Sequence, residues 1–191
     1  MRTPEPVVLT GDHVRLEPLG PDHVDDLFAA AQDDRVWRWL PALRPRTVED
    51  VVTLVDAAEA DPTRIAFAVV VGGRAVGSTS YLDIDVALGG LEVGWTWYAV
   101  EQWASRTNPQ CKRLVLGHAF DDLGAGRVLL KTDAHNTRSQ AAIRRLGAEY
   151  DGTLRHHRRR PDGSVRDTAY FSILAAEWPA IRDGLDERLA S

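Results

Sequence analysis

Apolar positions recur along this chain with two periods, and each switch between them marks the edge of an element. Residues His13-Val14-Arg15-Leu16-Glu17-Pro18 alternate polar with apolar and stop at a proline, which predicts a first strand. After Gly20-Pro21, residues Val24, Leu27, Phe28 and Ala31 fall at helical spacing within 22–31. Thr47 followed three residues later by Asp50 resembles a capping box and predicts the start of a second helix. Between the two helices, Val36-Trp37-Arg38-Trp39-Leu40-Pro41 reads as an aromatic loop. Residues 64–71 are rich in branched side chains and predict a strand, and Gly72-Gly73 supplies the positive φ angles of a hairpin turn into 74–81. A break at Gly89-Gly90 leads to a strand over 91–98 that contains Gly94.

The second half switches back to a period of 3.6. Asn108-Pro109 suits a first helical turn, and Cys111, Leu114, Val115, His118, Ala119 and Asp122 share one face beyond it. Leu116, Phe120 and Leu123 widen the apolar stripe, so this helix should lie on a sheet. Gly124 and Gly126 end it before a strand at 127–132. Asn136 is a good helix N-cap, and Gly147 stands where a left-handed C-cap glycine belongs. Strands at 148–159 and 166–174 flank the turn Pro161-Asp162-Gly163, and a last helix follows Glu177-Trp178-Pro179. The central strand–helix–strand unit implies one parallel strand pair. Together these elements predict a mixed α/β fold, a twisted sheet of about six or seven strands flanked by helices.

Composition narrows the classes. The 191 residues fit one compact domain, expected to run over 1–191. Hydrophobic residues at 44% and charged residues at 27% are ordinary for a globular chain and exclude a disordered one. A net charge of -5 argues against nucleic acid as the main partner, because phosphate neutralisation needs a basic surface. One cysteine, Cys111, cannot form an internal disulfide, which points to a reducing cytoplasm. The N-terminus lacks a signal peptide's apolar core, and no apolar stretch is long enough to span a bilayer.

Against this frame stand four motifs. They are Glu92-Val-Gly-Trp-Thr-Trp-Tyr98, then Val128-Leu-Leu-Lys-Thr-Asp133, then Asn136-Thr-Arg-Ser139, then Arg144-Arg-Leu-Gly147-Ala148. In this order, with a helix between the first two, they resemble the GNAT acetyltransferases. Within that superfamily the chain is most similar to the ribosomal-protein N-terminal acetyltransferase (RimJ/RimL-type) branch. Its ending, through Pro161-Asp-Gly163, Arg166-Asp167, Tyr170-Phe-Ser-Ile-Leu174 and Glu177-Trp178, is typical of that branch. The likeness runs from His13 to Pro179. It implies an acyl-CoA-dependent N-acyltransferase that uses acetyl-CoA as co-substrate, with the pantetheine arm entering between strands 91–98 and 127–132 like an added strand.

The reaction explains what such a site needs. A neutral amine attacks a thioester carbonyl, an oxyanion forms and a thiolate leaves. The oxyanion needs positioned donors, and a strand disrupted beside Gly94 can aim a free backbone N–H inward. Most amines are protonated near neutrality, so a base that drains the proton helps by roughly 10²–10⁴-fold. Glu92 is the candidate base, acting through water, with a solvated strand residue as the plain alternative. Ser139 shares a stripe with Ala142, Ile143 and Leu146, and the resemblance turns its hydroxyl towards the CoA thiol. The alternative is local donation to its own backbone. Many relatives carry a tyrosine further along this helix as general acid, where this chain has Ala142 and Ile143. A thiol with a pKa near 8.5 leaves without such help.

The resemblance also assigns cofactor contacts to Trp97, Tyr98, Asn136 and Arg138, and to the pyrophosphate loop. That loop usually reads Gln/Arg-x-x-Gly-x-Gly/Ala, but here it is Trp103-Ala104-Ser105-Arg106-Thr107-Asn108, with neither glycine. Backbone amides at a helix N-terminus bind phosphate whatever the side chains, and Arg106 would add charge. Trp37, Trp39 and Trp95 are candidates for an acceptor cleft, with core packing as the alternative. His156 and His157 lack partners at metal spacing, so no metal site is expected. The partner is then an amine-bearing acceptor, either a protein N-terminus or a small molecule; a homodimer is open, and no membrane partner is expected. The competing class is a non-catalytic acyl-CoA-binding or sensing module on the same fold.

Overall fold

The computed structural model describes residues 1–190. Its first strands are β1 (Leu9–Thr10) and β2 (Arg15–Pro18), followed by three helices, α1 (Val24–Ala30), α2 (Asp34–Trp37) and α3 (Val48–Glu59). Next come β3 (Ile65–Val71), β4 (Arg74–Asp85), β5 (Gly90–Tyr98), α4 (Thr107–Gly117), β6 (Arg127–Asp133) and α5 (Thr137–Leu146). The chain ends with β7 (Glu149–Arg159), β8 (Val165–Leu174) and α6 (Trp178–Ala190). All strands join one sheet in the order β1-β2-β3-β4-β5-β6-β8-β7. Every pair is antiparallel except β5 with β6, the pair that α4 connects.

The sheet has eight strands, one more than the sequence pattern predicts. The addition is β1, whose two residues pair with Arg15 and Leu16 and are too few for alternation to show. The aromatic loop is also partly helical. Asp33 accepts the backbone N–H of Arg35 at 2.8 Å and starts the single turn α2. The other local signals act as expected. Thr47 and Asp50 cap α3 reciprocally, Asn136 caps α5, and Gly147 ends α5 at φ 102°.

Side chains alternate across the sheet into two apolar layers. Phe67, Val69 and Tyr81 face α4, α5 and α6, in a core with Val115, Leu116 and Phe171. The Tyr81 hydroxyl donates to the Val115 carbonyl at 2.6 Å and pins α4 to β4. Ala68 and Ala75 face the other way, under α1 and α3, with Leu27, Val51 and Val55. The helix after Thr107 widens into one π turn at His118–Asp122 before Gly124 turns away at φ 72°. Both layers press on β4 and β5, one of three strand pairs whose register shifts, the others being β3–β4 and β7–β8.

Candidate active site

The β4–β5 irregularity is a β-bulge. On β4 the register runs from Ser80, opposite Gly94, to Ser78, opposite Trp97, so three steps on β5 answer two on β4. Trp95 takes the extra step with φ 50°, a conformation that L residues seldom adopt. The bulge reverses the parity of the strand. Leu91 and Val93 belong to the α4 layer, but beyond the bulge Tyr98 faces that layer and Trp97 faces α1 and α3. Thr96 Oγ1 lies 2.8 Å from Thr79 Oγ1 and ties the bulge to β4.

Beside the bulge the sheet opens. β5 and β6 pair only at Gly90 with Arg127, Leu91 with Val128 and Glu92 with Leu129. Beyond that rung β6 stays with β8, and the strands separate. Ala99 N–H reaches the Val76 carbonyl of β4 at 2.8 Å, so alternation turns the Tyr98 N–H towards the opening. The result is a wedge-shaped slot whose β5 wall carries backbone donors released from pairing.

Glu92 stands at the inner end of this slot, on the last paired rung, and is 8% exposed. The solvated alternative is thereby corrected. Its carboxylate pairs with Lys131 Nζ at 2.7 Å, and Lys131 Nζ also meets Asp83 at 2.5 Å. Burial raises the pKa of Glu92, opposed by the Lys131 hydrogen bond and charge and aided by Asp83. A raised pKa brings a carboxylate closer to the value useful for a base. Gly94 is the residue that admits this carboxylate: a Cβ there would stand 2.6 Å from Glu92 Oε1.

The mouth of the slot is framed by the loop before α4 and the first turn of α5. Ala104 adopts φ 57° where a glycine would be unstrained, so the loop keeps a tight turn despite its sequence. Ser105 accepts the Thr107 N–H at 3.1 Å. The Thr107 hydroxyl is buried, donating to Gln102 at 2.7 Å, and the Asn108 amide oxygen accepts the Tyr98 hydroxyl at 3.3 Å. The Arg106 guanidinium donates to the Leu189 carbonyl of α6, which turns its charge from the loop towards the last helix. Of the first-turn amides, Thr107 N–H goes to Ser105 and Gln110 N–H to the Arg106 carbonyl, and Pro109 has none, so the Asn108 N–H is the donor this helix start has to offer.

On α5, Asn136 Oδ1 accepts the Ser139 N–H at 3.1 Å. The Ser139 hydroxyl is half-buried and makes no hydrogen bond among the described residues. Ala142 is exposed; the inward stripe is Ile143 and Leu146. The Arg138 guanidinium stacks 3.5 Å from the Trp103 ring centre, and the Trp103 indole N–H reaches the Tyr98 carbonyl at 3.2 Å. This chain of contacts joins α5 to the end of β5 across the mouth. Cofactor candidates from three distant segments meet here, but the Trp97 side chain does not. It packs at 5.2 Å from Trp37 under α1 and α3, so only its backbone borders the slot.

Of the aromatic candidates, Trp37 and Trp95 line one small cleft with Leu19, Arg64, Ser78 and Trp97. Trp37 is nearly inaccessible and donates its indole N–H to the Ala31 carbonyl at 2.8 Å, a packing role. Trp95 is half-buried beneath Arg64 at 4.8 Å. Trp39 lies outside the cleft, covered by Arg38, because α2 ends between the two tryptophans. Sequence reasoning missed Lys131, Asp83 and Lys112. Only strand pairing places Lys131 beside Glu92, and no local motif carries that signal.

A bulged strand, a parting parallel pair and a helix start facing the gap together form a slot fit for a flat, amide-bearing arm ending in phosphates. A family model described as Acetyltransferase (GNAT) domain matches residues 13–149. The chain belongs to the GNAT family. A GCN5-related N-acetyltransferase from Brucella melitensis superposes with a TM-score of 0.93 at 31% identity, over 97% of this chain and 86% of that one. RimJ of Mycobacterium smegmatis, in complex with CoA-disulfide, gives 0.80 at 20% identity, over 92% and 88%. RimL, a ribosomal L7/L12 alpha-N-protein acetyltransferase, gives 0.78 at 15% identity, over 91% and 99%. These last two share the fold. Relatives at 31–36% identity carry no named acceptor. No curated protein matches.

GNAT enzymes use acetyl-CoA as co-substrate, and the slot of this chain has the shape and donors for such an arm. The Tyr98 amide and the Asn108 amide at the start of α4 are the groups that would hold the arm and its phosphates. No group of three or more His, Cys, Asp or Glu side chains fit for a metal occurs among the described residues. No helix is long and apolar enough to cross a membrane.

Proposed function

We propose that this protein, acting as one domain over 1–191, transfers an acetyl group from acetyl-CoA to a primary amine by direct attack, with a peptide α-amine favoured over a small-molecule amine. The observation that carries this reading is the buried Glu92 carboxylate at the end of the slot, with a raised pKa and a bulge beside it. In this mechanism Glu92 drains the amine proton through water, and a bulge N–H steadies the thioester carbonyl. The Ser139 hydroxyl, free of local bonds, faces the departing thiol. An α-amine, with a pKa near 8, needs only a modest base, whereas lysine at about 10.4 needs a stronger one. The lone buried thiol of Cys111 fits a reducing cytoplasm.

A panel of peptides with free N-termini, N-terminally blocked lysine peptides and small amines, with CoA release as the readout, tests the proposal. Turnover is expected with free N-termini, and turnover confined to lysine side chains would overturn the acceptor assignment. One observation favours a second reading, a sensing module that binds acyl-CoA without turnover: the phosphate loop carries Arg106 and Asn108 in place of glycines. Tight CoA binding with no thiol release across the whole panel would establish it.

A further inference from the structure

Lys112 occupies an unusual position for a lysine. It lies on the flank of α4 that turns towards β5, and it is 8% exposed. Its neighbours on the helix have other destinations: Gln110 reaches the backbone of His13 and Val14, Cys111 packs fully buried in the core, and Arg113 pairs with Asp186 of α6. Among the described residues the only hydrogen bond of Lys112 Nζ is to Thr96 Oγ1, at 3.4 Å, and no carboxylate pairs with it. An ammonium has three donors and no acceptor, and a buried one with a single long contact is costly.

The location explains what the remaining donors can serve. Thr96 is the residue after Trp95 in the bulge, and it lies past the last rung that β5 shares with β6. Lys112 Nζ therefore stands at the wall of the slot, on the α4 side of the sheet. Glu92 belongs to the other face, since Leu91 and Val93, its neighbours on the strand, point to α4. The two charged groups thus flank the slot from opposite faces, beside one bulge.

We propose that Lys112 is a hydrogen-bond donor to the carbonyl oxygen of the bound thioester, a charged partner to the bulge amide. This rests on the acetyl-transfer reading of the slot. The amine approaches from the Glu92 side, where its proton leaves; its nitrogen bonds to the carbonyl carbon as the carbon–sulfur bond breaks, and Lys112 keeps its proton throughout. Negative charge that gathers on the oxygen meets the ammonium in a site shielded from water, where one donor matters most. Burial lowers the pKa of Lys112, with Cys111 and Glu92 opposing, so the charged form gains from any acceptor that arrives.

The full chain with acetyl-CoA carrying carbon-13 at the thioester carbonyl, and no acceptor, tests this by difference infrared spectroscopy. In the wild-type complex the carbonyl stretch should lie below that of free acetyl-CoA, and Lys112→Met should return it towards the free position. The same variant should lose about 100-fold in kcat while its affinity for CoA by calorimetry changes by less than about threefold. Should Lys112→Met fail to fold, Lys112→Gln, of similar length and without charge, is measured in its place. A carbonyl band at the same position in wild type and variant overturns the inference, as does a kcat within about twofold of wild type. Failure of the wild-type protein to bind acetyl-CoA would instead overturn the proposed function beneath it.

Discussion

At the scale of single residues, the chemistry gathers where strand β5 departs from regular geometry. Gly94 has no side chain because Glu92 needs the room, and Trp95 accepts a strained φ because the bulge needs one residue in that conformation. Glu92 is held by Lys131, which Asp83 shares, so the carboxylate is buried yet paired. Its pKa is raised, so as a base it acts above that value, and its activity fades as pH falls through it. Glu92→Gln removes this limb. Turnover should fall by about 100-fold near neutrality and by less at high pH, where free amine is abundant. A pH series of kcat/KM for both proteins checks it, and an equal deficit at every pH would make Glu92 a structural residue.

At the scale of elements, the β4–β5 pair determines whether the slot exists. Gly77 sits opposite Tyr98, and a Cβ there would stand 2.1 Å from the Trp97 carbonyl and 2.8 Å from the Tyr98 Cα. Backbone cannot yield as a flexible side chain can, so the strands approach this closely only through a glycine. Gly77→Ala should cost about 3 kcal/mol, which for a chain of this length lowers Tm by roughly 6–12 °C. Thermal unfolding followed by circular dichroism reads the shift. An unchanged Tm would mean that the two strands can part at this point without harm. The α5 start depends instead on a local cap, Asn136 to Ser139, which is why a short motif could announce it.

At the scale of the whole molecule, one ion pair fastens the β7–β8 hairpin to β6. Asp133, 1% exposed, receives Arg160 at 2.8 and 3.2 Å. Burial alone would raise the Asp133 pKa, but the hydrogen bonds from Arg160 and from the His135 N–H outweigh it, and the net shift is downward. A carboxylate lowered in the folded state stabilises fully above its unfolded value and loses that contribution as pH falls through the folded one. Wild-type Tm should therefore decline below about pH 4, and Asp133→Asn should lower Tm near neutrality while flattening the acid decline. Parallel acid profiles for the two proteins would refute the role given to this pair. Much of the architecture was legible in the chain itself, since caps, a two-glycine turn and apolar periods are local and act through neighbouring atoms: Thr47 with Asp50, Gly72-Gly73 and Gly147 stand where their signals predict. The family was legible through motifs of the same short range. Strand register was not, because it depends on contacts between residues far apart in sequence. Only the folded sheet could set Lys131 and Asp83 against Glu92, turn Arg106 to α6, bury Trp37 and Trp97 together and bring Lys112 to the bulge.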